Sequence, residues 1–459
     1  MNIIIVGCGK VGATLAEQLC AEGHDIVVVD LSEKALEAPA KAYDVMTVVG
    51  NGASFNVQQE AGIEEADLLI AVTGSDELNL LCCLIAKKAG SCQTIARVRN
   101  SLYNQEIGFI KEQLGITMII NPELAAAREI AKLLRFPSAI KIDTFAKGRV
   151  ELMKFKLLPA FGLDGWKVSD IIERLKCDVL VCGVERGEQV AIPNGNFVLR
   201  DQDSISIMAS PQEANHFFKK IGVETHQVKN TLILGGGEIG YYLARQLLEM
   251  GIQVRIVELN QQRCEKLSSL LPDAIIINGD AADQSLLLEE GLEKAESVVS
   301  LTNMDEENLL LSMFAKKQSR AKVVTKVNRI AFDEVIDSLD IGSVIYPKYL
   351  TADYINKYVR AAQNSIGSNV ETLYRILDGR AEALEFAIHT NSPVVDVPLM
   401  ELQLKPNLLI CCINHRGAIR IPRGQDRIRV GDTVIVVTTE RGLRDIRDIL
   451  KTSRQDAEK

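Results

Sequence analysis

The chain has 459 residues and a formal net charge of −9 at pH 7. Because a typical domain has about 150 residues, we expect several domains. The acidic balance disfavours a nucleic-acid binder, which needs a basic face for the phosphate backbone, and no stretch approaches the ~18 apolar residues of a membrane span.

The N-terminus and the cysteines predict a cytoplasmic protein without a metal site. Met1 and Asn2 are followed by the short apolar run Ile3–Val6, which ends at Gly7, with no basic segment or cleavage site. The ten cysteines lack the C-x-x-C spacing of zinc and thioredoxin-like sites. We therefore interpret most of them as small buried hydrophobic residues.

Short runs rich in Val, Ile and Leu alternate with longer helical segments at the start of the chain. Alternation of this kind is typical of a parallel sheet. A helix is predicted from Pro122 to Leu134, because proline suits the first helical position. The predicted strands are residues 2–6, 26–30, 44–49, 67–72, 93–98 and 117–120.

Beyond this helix the strands come closer together, which predicts a small α+β module. Helices are predicted near residues 168–175 and 211–220. The predicted strands of the module are residues 151–157, 178–183, 189–192 and 204–208.

The whole unit occurs twice. The glycines Gly7, Gly9 and Gly12 recur 228 positions on as Gly235, Gly237 and Gly240. At an offset of 229, residues Gly50, Thr73, Asn79 and Arg97 match Gly279, Thr302, Asn308 and Lys326. These matches indicate a tandem duplication. We predict four lobes, at residues 1–140, 141–225, 229–360 and 370–453, and a frayed charged tail at residues 454–459.

Each half begins with the pattern of a dinucleotide site. A strand leads into G-x-G-x-x-G at the start of a helix, and an acidic residue follows about twenty positions on. Gly7 permits a tight turn, Gly9 lets a pyrophosphate approach the backbone, and Gly12 lets the helix pack on the sheet. Asp30, and Glu258 in the second half, would accept hydrogen bonds from the adenosine ribose. The alternative is that the glycines only make tight turns.

The cofactor expected at these loops is NAD rather than NADP. No basic residue directly follows Asp30 or Glu258. A 2′-phosphate beside an unneutralised carboxylate would be repelled.

Further candidate contacts follow the carboxyl ends of the strands, where ligands of such sheets lie. Asn51 and Gly52 are placed to line the adenine side. Thr73 and Gly74 precede Ser75-Asp76-Glu77, which also fits a helix start with a serine cap and favourably placed acids. Arg97 fits a phosphate contact or an ion pair with a helix carboxylate.

The complete set of predicted ligand-binding residues covers both halves. In the first half it contains Gly7, Cys8, Gly9, Lys10, Val11, Asp30, Asn51, Gly52, Thr73, Gly74 and Arg97. In the second half it contains Gly235, Gly236, Gly237, Glu238, Ile239, Glu258, Gly279, Asp280, Thr302 and Lys326.

No duplicated catalytic group stands out. A dehydrogenase needs a proton donor or acceptor such as His, Lys or Tyr. His389 and His415 correspond to Ala160 and Arg186 in the first half, so neither histidine is repeated. The motifs H-E-x-x-H and G-x-S-x-G and the Walker A lysine are absent from the sequence. These residues fit a binding protein, or an NAD-dependent oxidoreductase whose catalytic group is unidentified.

The sequence resembles the TrkA-like family of potassium-uptake regulatory proteins, which carry two RCK domains (regulators of potassium conductance) in tandem. The resemblance covers essentially the whole chain. It rests on Gly7-Cys8-Gly9-Lys10-Val11-Gly12, Asp30, Gly50-Asn51-Gly52-Ala53, Thr73-Gly74-Ser75-Asp76-Glu77-Leu78-Asn79-Leu80, Arg97 and their second-half copies.

This resemblance implies an α/β fold, with a Rossmann-like parallel-sheet domain followed by a small α+β C-lobe, the pair present twice. It implies a regulatory subunit rather than an enzyme, binding NAD or NADH and also ATP or ADP. The expected partner is a TrkH/TrkG-like potassium transporter subunit, reached from the inner face of the cell membrane. The expected assembly is a homotetrameric ring, paired through the Pro122–Leu134 helix, whose apolar residues exceed the needs of an intrachain stripe.

Three of the differences between the two halves bear on the ligands that we expect. Asn51 stands where the family has Asp, which the second half keeps as Asp280. Lys10 and Arg97 correspond to Glu238 and Lys326. From the opposite charges of Lys10 and Glu238 we expect the first half to respond to ATP and the second to accept NAD better than ATP.

Overall fold

The computed structural model divides the chain into two compact units. One contains Met1–Ala131 and Val228–Asn356, and the other contains Lys132–Gln227 and Lys357–Lys459. The predicted tail at residues 454–459 lies outside the described residues. Those residues are 1–100, 103, 106–137, 139–187, 189–223, 227–328, 336, 339, 341–364, 370–377, 379–415 and 417–451.

The first half of the first unit is built on a six-stranded parallel sheet. Its strands are β1 (Asn2–Val6), β2 (Asp25–Asp30), β3 (Met46–Val49), β4 (Leu68–Ala71), β5 (Gln93–Arg97) and β6 (Met118–Ile120). They lie in the order β3-β2-β1-β4-β5-β6, so the direction of winding reverses between β1 and β4. This is the Rossmann order, and it confirms the predicted fold class.

Helices connect these strands: α1 (Lys10–Ala21), α2 (Glu33–Ala42), α3 (Phe55–Glu60), α4 (Asp76–Ala89), α5 (Ile107–Leu114) and α6 (Pro122–Arg135). Ser32 caps α2 and Ser75 caps α4, each accepting a hydrogen bond from a backbone N–H in the first turn. Strand β1 lies between two layers of helices and is buried on both faces, since Ile3, Ile4 and Ile5 are at most 1% exposed.

The second half of this unit repeats the arrangement. Its parallel sheet has the order β14-β13-β12-β15-β16-β17. The strands are β12 (Asn230–Leu234), β13 (Gln253–Glu258), β14 (Ile275–Asn278), β15 (Ser297–Ser300), β16 (Lys322–Lys326) and β17 (Ser343–Ile345). Two helices, α7 (Val168–Leu175) and α8 (Pro211–Lys220), belong to the second unit. The helices of the second half of the first unit are α9 (Glu238–Glu249), α10 (Gln261–Leu270), α11 (Gln284–Glu289), α12 (Asp305–Gln318) and α13 (Pro347–Asn364).

The two halves of the first unit are joined by side-chain hydrogen bonds. Asn121 Nδ2 donates to the hydroxyl of Tyr242 at 3.1 Å, and Asn356 Nδ2 donates to Gln18 Oε1 at 2.5 Å. None of the described helices is long and apolar enough to cross a membrane.

The second unit contains two five-stranded antiparallel sheets. Their orders are β10-β9-β11-β8-β7 and β18-β19-β22-β20-β21. The first comprises β7 (Lys141–Phe145), β8 (Val150–Lys156), β9 (Leu180–Arg186), β10 (Gln189–Ala191) and β11 (Ser204–Ala209). The second comprises β18 (Val370–Ile376), β19 (Ala381–Ala387), β20 (Leu408–His415), β21 (Ala418–Arg420) and β22 (Asp432–Thr438). Strand β7 was not predicted from the sequence, because Lys141, Asp143 and Thr144 are polar; the strand is stabilised by pairing with β8.

The crossover helix α6 differs from expectation in one respect. Ile130, Leu133 and Leu134 are at most 4% exposed within the single chain. They are therefore not left over for pairing between chains. The predicted spare apolar surface consisted of residues such as Leu124, Ile130, Leu133 and Leu134; the prediction was wrong for the last three, whereas Leu124 is partly exposed.

Candidate nucleotide-binding site

The two glycine loops leave β1 and β12 with the same geometry. Gly7 and Gly235 have φ of 102° and 110°, a region that favours glycine. A β-carbon on Gly12 would lie 1.8 Å from the carbonyl oxygen of Gly7, so the first turn of α1 packs directly on the loop. These contacts supply the turn and close helix packing that the spacing predicts.

The acidic residues at the ends of β2 and β13 bind their own glycine loops. Asp30 Oδ2 accepts a hydrogen bond from the N–H of Cys8 at 2.6 Å, and Oδ1 accepts one from Ser32 at 2.8 Å. Glu258 does the same in the second half, accepting from the N–H groups of Gly236 and Asn260, each at 2.8 Å. Each carboxylate retains lone pairs that can accept from a ligand hydroxyl.

A cavity of about 550 Å³ lies at the reversal point of the first sheet. Its size and place are those of a ligand site in an open α/β sheet. The predicted first-half residues that line the cavity are Gly7, Gly9, Lys10, Val11, Asp30, Asn51, Gly52, Thr73, Gly74 and Arg97. The predicted residue Cys8 is buried, at 8% exposure.

A buried asparagine holds the far wall of this cavity. Asn79 Oδ1 accepts from the N–H of Thr73 at 2.8 Å, and its Nδ2 donates to the carbonyl of Arg97 at 2.9 Å. Asn308 makes the matching bonds to Thr302 and Lys326 in the second half. The loops after the fourth and fifth strands are thereby held together, a role that the sequence pattern did not reveal.

Asp76, one of the acids that follow Thr73, also holds the loop after the fifth strand. Ser75 caps α4 as predicted, but the role of Asp76 is not limited to a favourable charge at the helix N-terminus. Its Oδ2 accepts from the backbone N–H groups of Arg99 and Asn100 at 2.9 and 2.8 Å. Asp76 therefore shapes the loop after β5 and is not directed at a ligand.

The charged groups at the deep end of the cavity are partly desolvated. Arg97 donates through Nη2 to the carbonyl of Thr73, and within the described chain its buried Nε has no hydrogen-bond partner. Burial and the neighbouring Arg99 lower the pKa of Arg97. Burial raises the pKa of Glu123, against a smaller opposing attraction from Arg99 and Arg97.

Four polar side chains of the lining were not predicted from the sequence. They are Glu123, at the start of α6, and Asn328, Lys348 and Thr351 of the second half. Lys348 follows Pro347 as Glu123 follows Pro122, and this repeat was the available signal. The cavity of the first half therefore includes charged groups from both halves.

In the second half the predicted residues occupy equivalent places, and some of their contacts are the same while others differ. Asp280 Oδ1 accepts from the N–H of Ala282 as Asn51 Oδ1 does from Ala53, so both side chains make the same turn. Lys326 is 6% exposed, donates to the carbonyl of Leu301, and has a pKa lowered by burial. Ile239 follows Glu238 in the first turn of α9, and Gly237 precedes them as the exposed N-cap.

The carboxylate of Glu238 is not a free negative charge. Its Oε1 lies 3.2 Å from Nη1 of Arg263 in α10. The expectation that Glu238 repels phosphate treated this residue as unpaired, and that premise was wrong. Sequence spacing did not reveal the pair because its members belong to different helices.

His415, in the second unit, has a structural role. Its Nδ1 lies 2.5 Å from Oδ1 of Asp432, which is 2% exposed. Arg186 makes the equivalent contact to Asp203, with two hydrogen bonds of 2.8 Å. The histidine thus replaces an arginine that orders a turn.

Four segments of the chain match family models. The TrkA-N domain matches residues 3–122 and 231–347, and the TrkA-C domain matches residues 155–222 and 383–451. The chain belongs to the TrkA family. The family assignment agrees with the glycine loops, the acids and the duplicated order of the two kinds of sheet.

TrkA relatives resemble the chain along its full length. It is 30% identical over 459 residues to the Trk system potassium uptake protein TrkA homolog 2 of Methanosarcina mazei, covering 98% of this chain and 100% of the relative. It is 33% identical over 453 residues to the Trk system potassium uptake protein TrkA of Halomonas elongata, covering 97% and 98%.

Solved structures share the fold of this chain at low sequence identity. The GsuK channel bound to NAD superimposes with a TM-score of 0.61 at 18% identity, covering 96% of this chain and 77% of that one. The GsuK RCK domain gives a TM-score of 0.62 at 17% identity, covering 96% and 93%.

Proposed function

We propose that this protein is a regulatory subunit that binds NAD or NADH and adenine nucleotides and thereby controls flux through a membrane potassium transporter. The observation that carries this proposal is the cavity at the reversal point of the first sheet, where Asp30, the glycine loop and Arg97 meet. Family membership supplies the biological setting, because the named relatives are potassium uptake proteins.

The cavity suits a phosphorylated adenosine. Asp30 is placed to accept from ribose hydroxyls, and the amides at the start of α1 favour a pyrophosphate. Lys10, Arg97 and Lys348 offer three cations along the lining, while Glu123 and Asp30 offer two carboxylates. GsuK, which shares the fold, has been solved with NAD and with ADP.

A regulator acts through differential affinity for two states. A ligand that binds both conformations equally shifts neither, and a change from 1:99 to 99:1 needs a preference of about 10⁴-fold. The two sites of each chain are repeated in a homotetrameric ring, so the sites together can supply the required preference for one state. We propose lobes at residues 1–140, 141–225, 229–360 and 370–453 as the units of this ring.

The proposed partner is a TrkH/TrkG-like transporter subunit, and the proposed location is the cytoplasmic face of the cell membrane. We propose that the protein is not an enzyme, because the named relatives that it resembles along its full length are potassium uptake proteins.

The decisive experiment measures potassium uptake in cells that lack this protein, with and without its membrane partner. We expect wild-type protein to restore regulated uptake and the double variant Asp30→Asn/Glu258→Gln to restore less. In parallel, purified protein with NADH and a panel of small carbonyl compounds should leave the NADH absorbance constant. Consumption of NADH would favour an oxidoreductase, and uptake that is independent of the protein would contradict the regulatory role.

A further inference from the structure

The second glycine loop carries a guanidinium that the first loop lacks. Arg263 lies in the first turn of α10, and its Nε donates to the carbonyl oxygen of Gly236 at 2.7 Å. Its Nη1 lies 3.2 Å from Glu238 Oε1. The equivalent residue of the first half, 228 positions earlier, is Ala35.

Two polar atoms of this pair remain unused. Arg263 Nη2 and Glu238 Oε2 are both buried, and neither has a hydrogen-bond partner in the part of the chain that the structure describes. A guanidinium presents its donors in a rigid fork, so two fixed contacts also fix the direction of the third donor. A buried donor without an acceptor is unfavourable until an acceptor arrives.

The guanidinium of Arg263 lies close to Glu258, the residue proposed to bind the ribose. Gly236 joins the two groups, because its N–H donates to Glu258 Oε2 while its carbonyl accepts from Arg263. A β-carbon on Gly236 would lie 3.1 Å from Glu258 Oε2 and 2.6 Å from Leu267 Cδ1. Only glycine therefore allows the loop, the end of β13 and helix α10 to lie this close together.

We infer that Arg263 is the phosphate-recognising cation of the second half, and that it binds a phosphate carried by the adenosine ribose. This inference rests on the proposed function, since it names the ligand group that the second site reads. Glu238 orients the guanidinium and neutralises one charge, so the free Nη2 supplies a directed hydrogen bond more than a long-range field. In the first half, the cations that line the cavity are Lys10, Arg97 and Lys348.

The phosphate has two possible positions on the ribose. The 5′-phosphate is shared by AMP, ADP, ATP and NAD, whereas the 2′-phosphate distinguishes NADP. Glu258 disfavours the 2′ position by repulsion. Separate titrations with 5′-AMP and 2′-AMP distinguish the two.

The experiment uses the full chain carrying Asp30→Ala, which weakens the first site, and compares it with the same chain carrying Arg263→Ala. Calorimetric titrations use adenosine, 5′-AMP, 2′-AMP, ADP and NAD. We expect Arg263→Ala to weaken binding of the phosphorylated ligands about tenfold, the effect of one charged hydrogen bond, and to leave adenosine binding unchanged. Arg263→Lys should restore only part of the loss because it lacks the fork.

Lys266→Ala is the matched control, since it removes the same charge from an exposed position of α10. Equal losses for adenosine and 5′-AMP would assign Arg263 a purely structural role and overturn the inference, as would unchanged or tighter 5′-AMP and 2′-AMP binding. If the chain with intact Arg263 binds none of these ligands, the proposed nucleotide function of the second half fails as well.

Discussion

Leu377 fills the space in which a side chain on Gly183 would lie. A β-carbon on Gly183 would stand 2.7 Å from Leu377 Cδ2, and Leu377 is only 2% exposed. Strand pairing shows that the repeat replaces Gly183 by Cys412 and Leu377 by Ala146. The two antiparallel sheets of the second unit therefore pack as complementary surfaces rather than as identical ones.

Replacing Gly183 by alanine should destabilise the protein. The added methyl group meets a buried side chain that has little room to move, and overpacking of this kind costs about 1–3 kcal/mol. Urea unfolding monitored by circular dichroism measures the change in the free energy of unfolding. Gly108→Ala is the matched control, because nothing lies within 4 Å of a β-carbon there. In a Leu377→Ala background the cost of Gly183→Ala should largely disappear, and an undiminished cost would contradict this packing account.

Asp30→Asn should weaken binding of NAD to the first half by about 1–3 kcal/mol, as expected for hydrogen bonds to a charged group. Asparagine keeps one acceptor for the backbone N–H of Cys8, so it disturbs the loop less than alanine does. Calorimetry measures the affinity, and Asp25→Asn at the exposed start of the same strand is the control. Unchanged affinity in Asp30→Asn and in the double variant with Glu258→Gln would reject both ribose sites.

Lys10→Gln should reduce the preference of the first half for ATP over NAD. A unit charge about 6 Å from a phosphate contributes roughly threefold in affinity in water, and the effect falls as salt rises. Titrations of both ligands at low and high ionic strength test this, with the exposed Lys34→Gln in α2 as control. A preference that is independent of Lys10 and of salt would show that cavity shape decides.

Leu81→Asp and Leu310→Asp should shift the protein toward smaller assemblies. These residues occupy equivalent positions on α4 and α12 and are 46% and 67% exposed, so a repeated apolar contact between chains fits both. Multi-angle light scattering measures the mass, for which the proposed ring predicts a tetramer in the wild type. Leu288→Asp, at 40% exposure on α11, is the control. A wild-type monomer at micromolar concentration would contradict the ring.

Glu123→Gln should change how stability depends on pH. Burial raises the pKa of Glu123, so the folded chain holds this proton more tightly than the unfolded chain. The group therefore costs stability as pH rises from the ordinary carboxyl range through the raised pKa. Glutamine stays neutral, so the variant's advantage should grow over that interval and vanish below it. Urea unfolding between pH 4 and 8, with exposed Glu112→Gln as control, tests the sign, and an advantage that shrinks with rising pH would contradict it.

Much of the first unit could be predicted from local pattern. The buried runs ending at Val6 and Leu234 read as strands, and the positive φ at Gly7 and Gly235 follows from residue type. The spacing in sequence also predicted that Asp30 and Glu258 lie beside the glycine loops, because adjacent parallel strands end at the same edge of the sheet.

The repeated alternation of strand and helix, the two glycine loops and their acids can be predicted from the sequence alone, since each depends on residues close along the chain or on neighbouring strands. The pairing of charged side chains depends on the tertiary structure. Glu123 joins Lys348 around one cavity, and Glu238 is paired by Arg263, because side chains on different helices are brought together by the packing of the sheets and not by spacing. The effect of a charged side chain depends on its partner, and the fold determines which side chain that partner is.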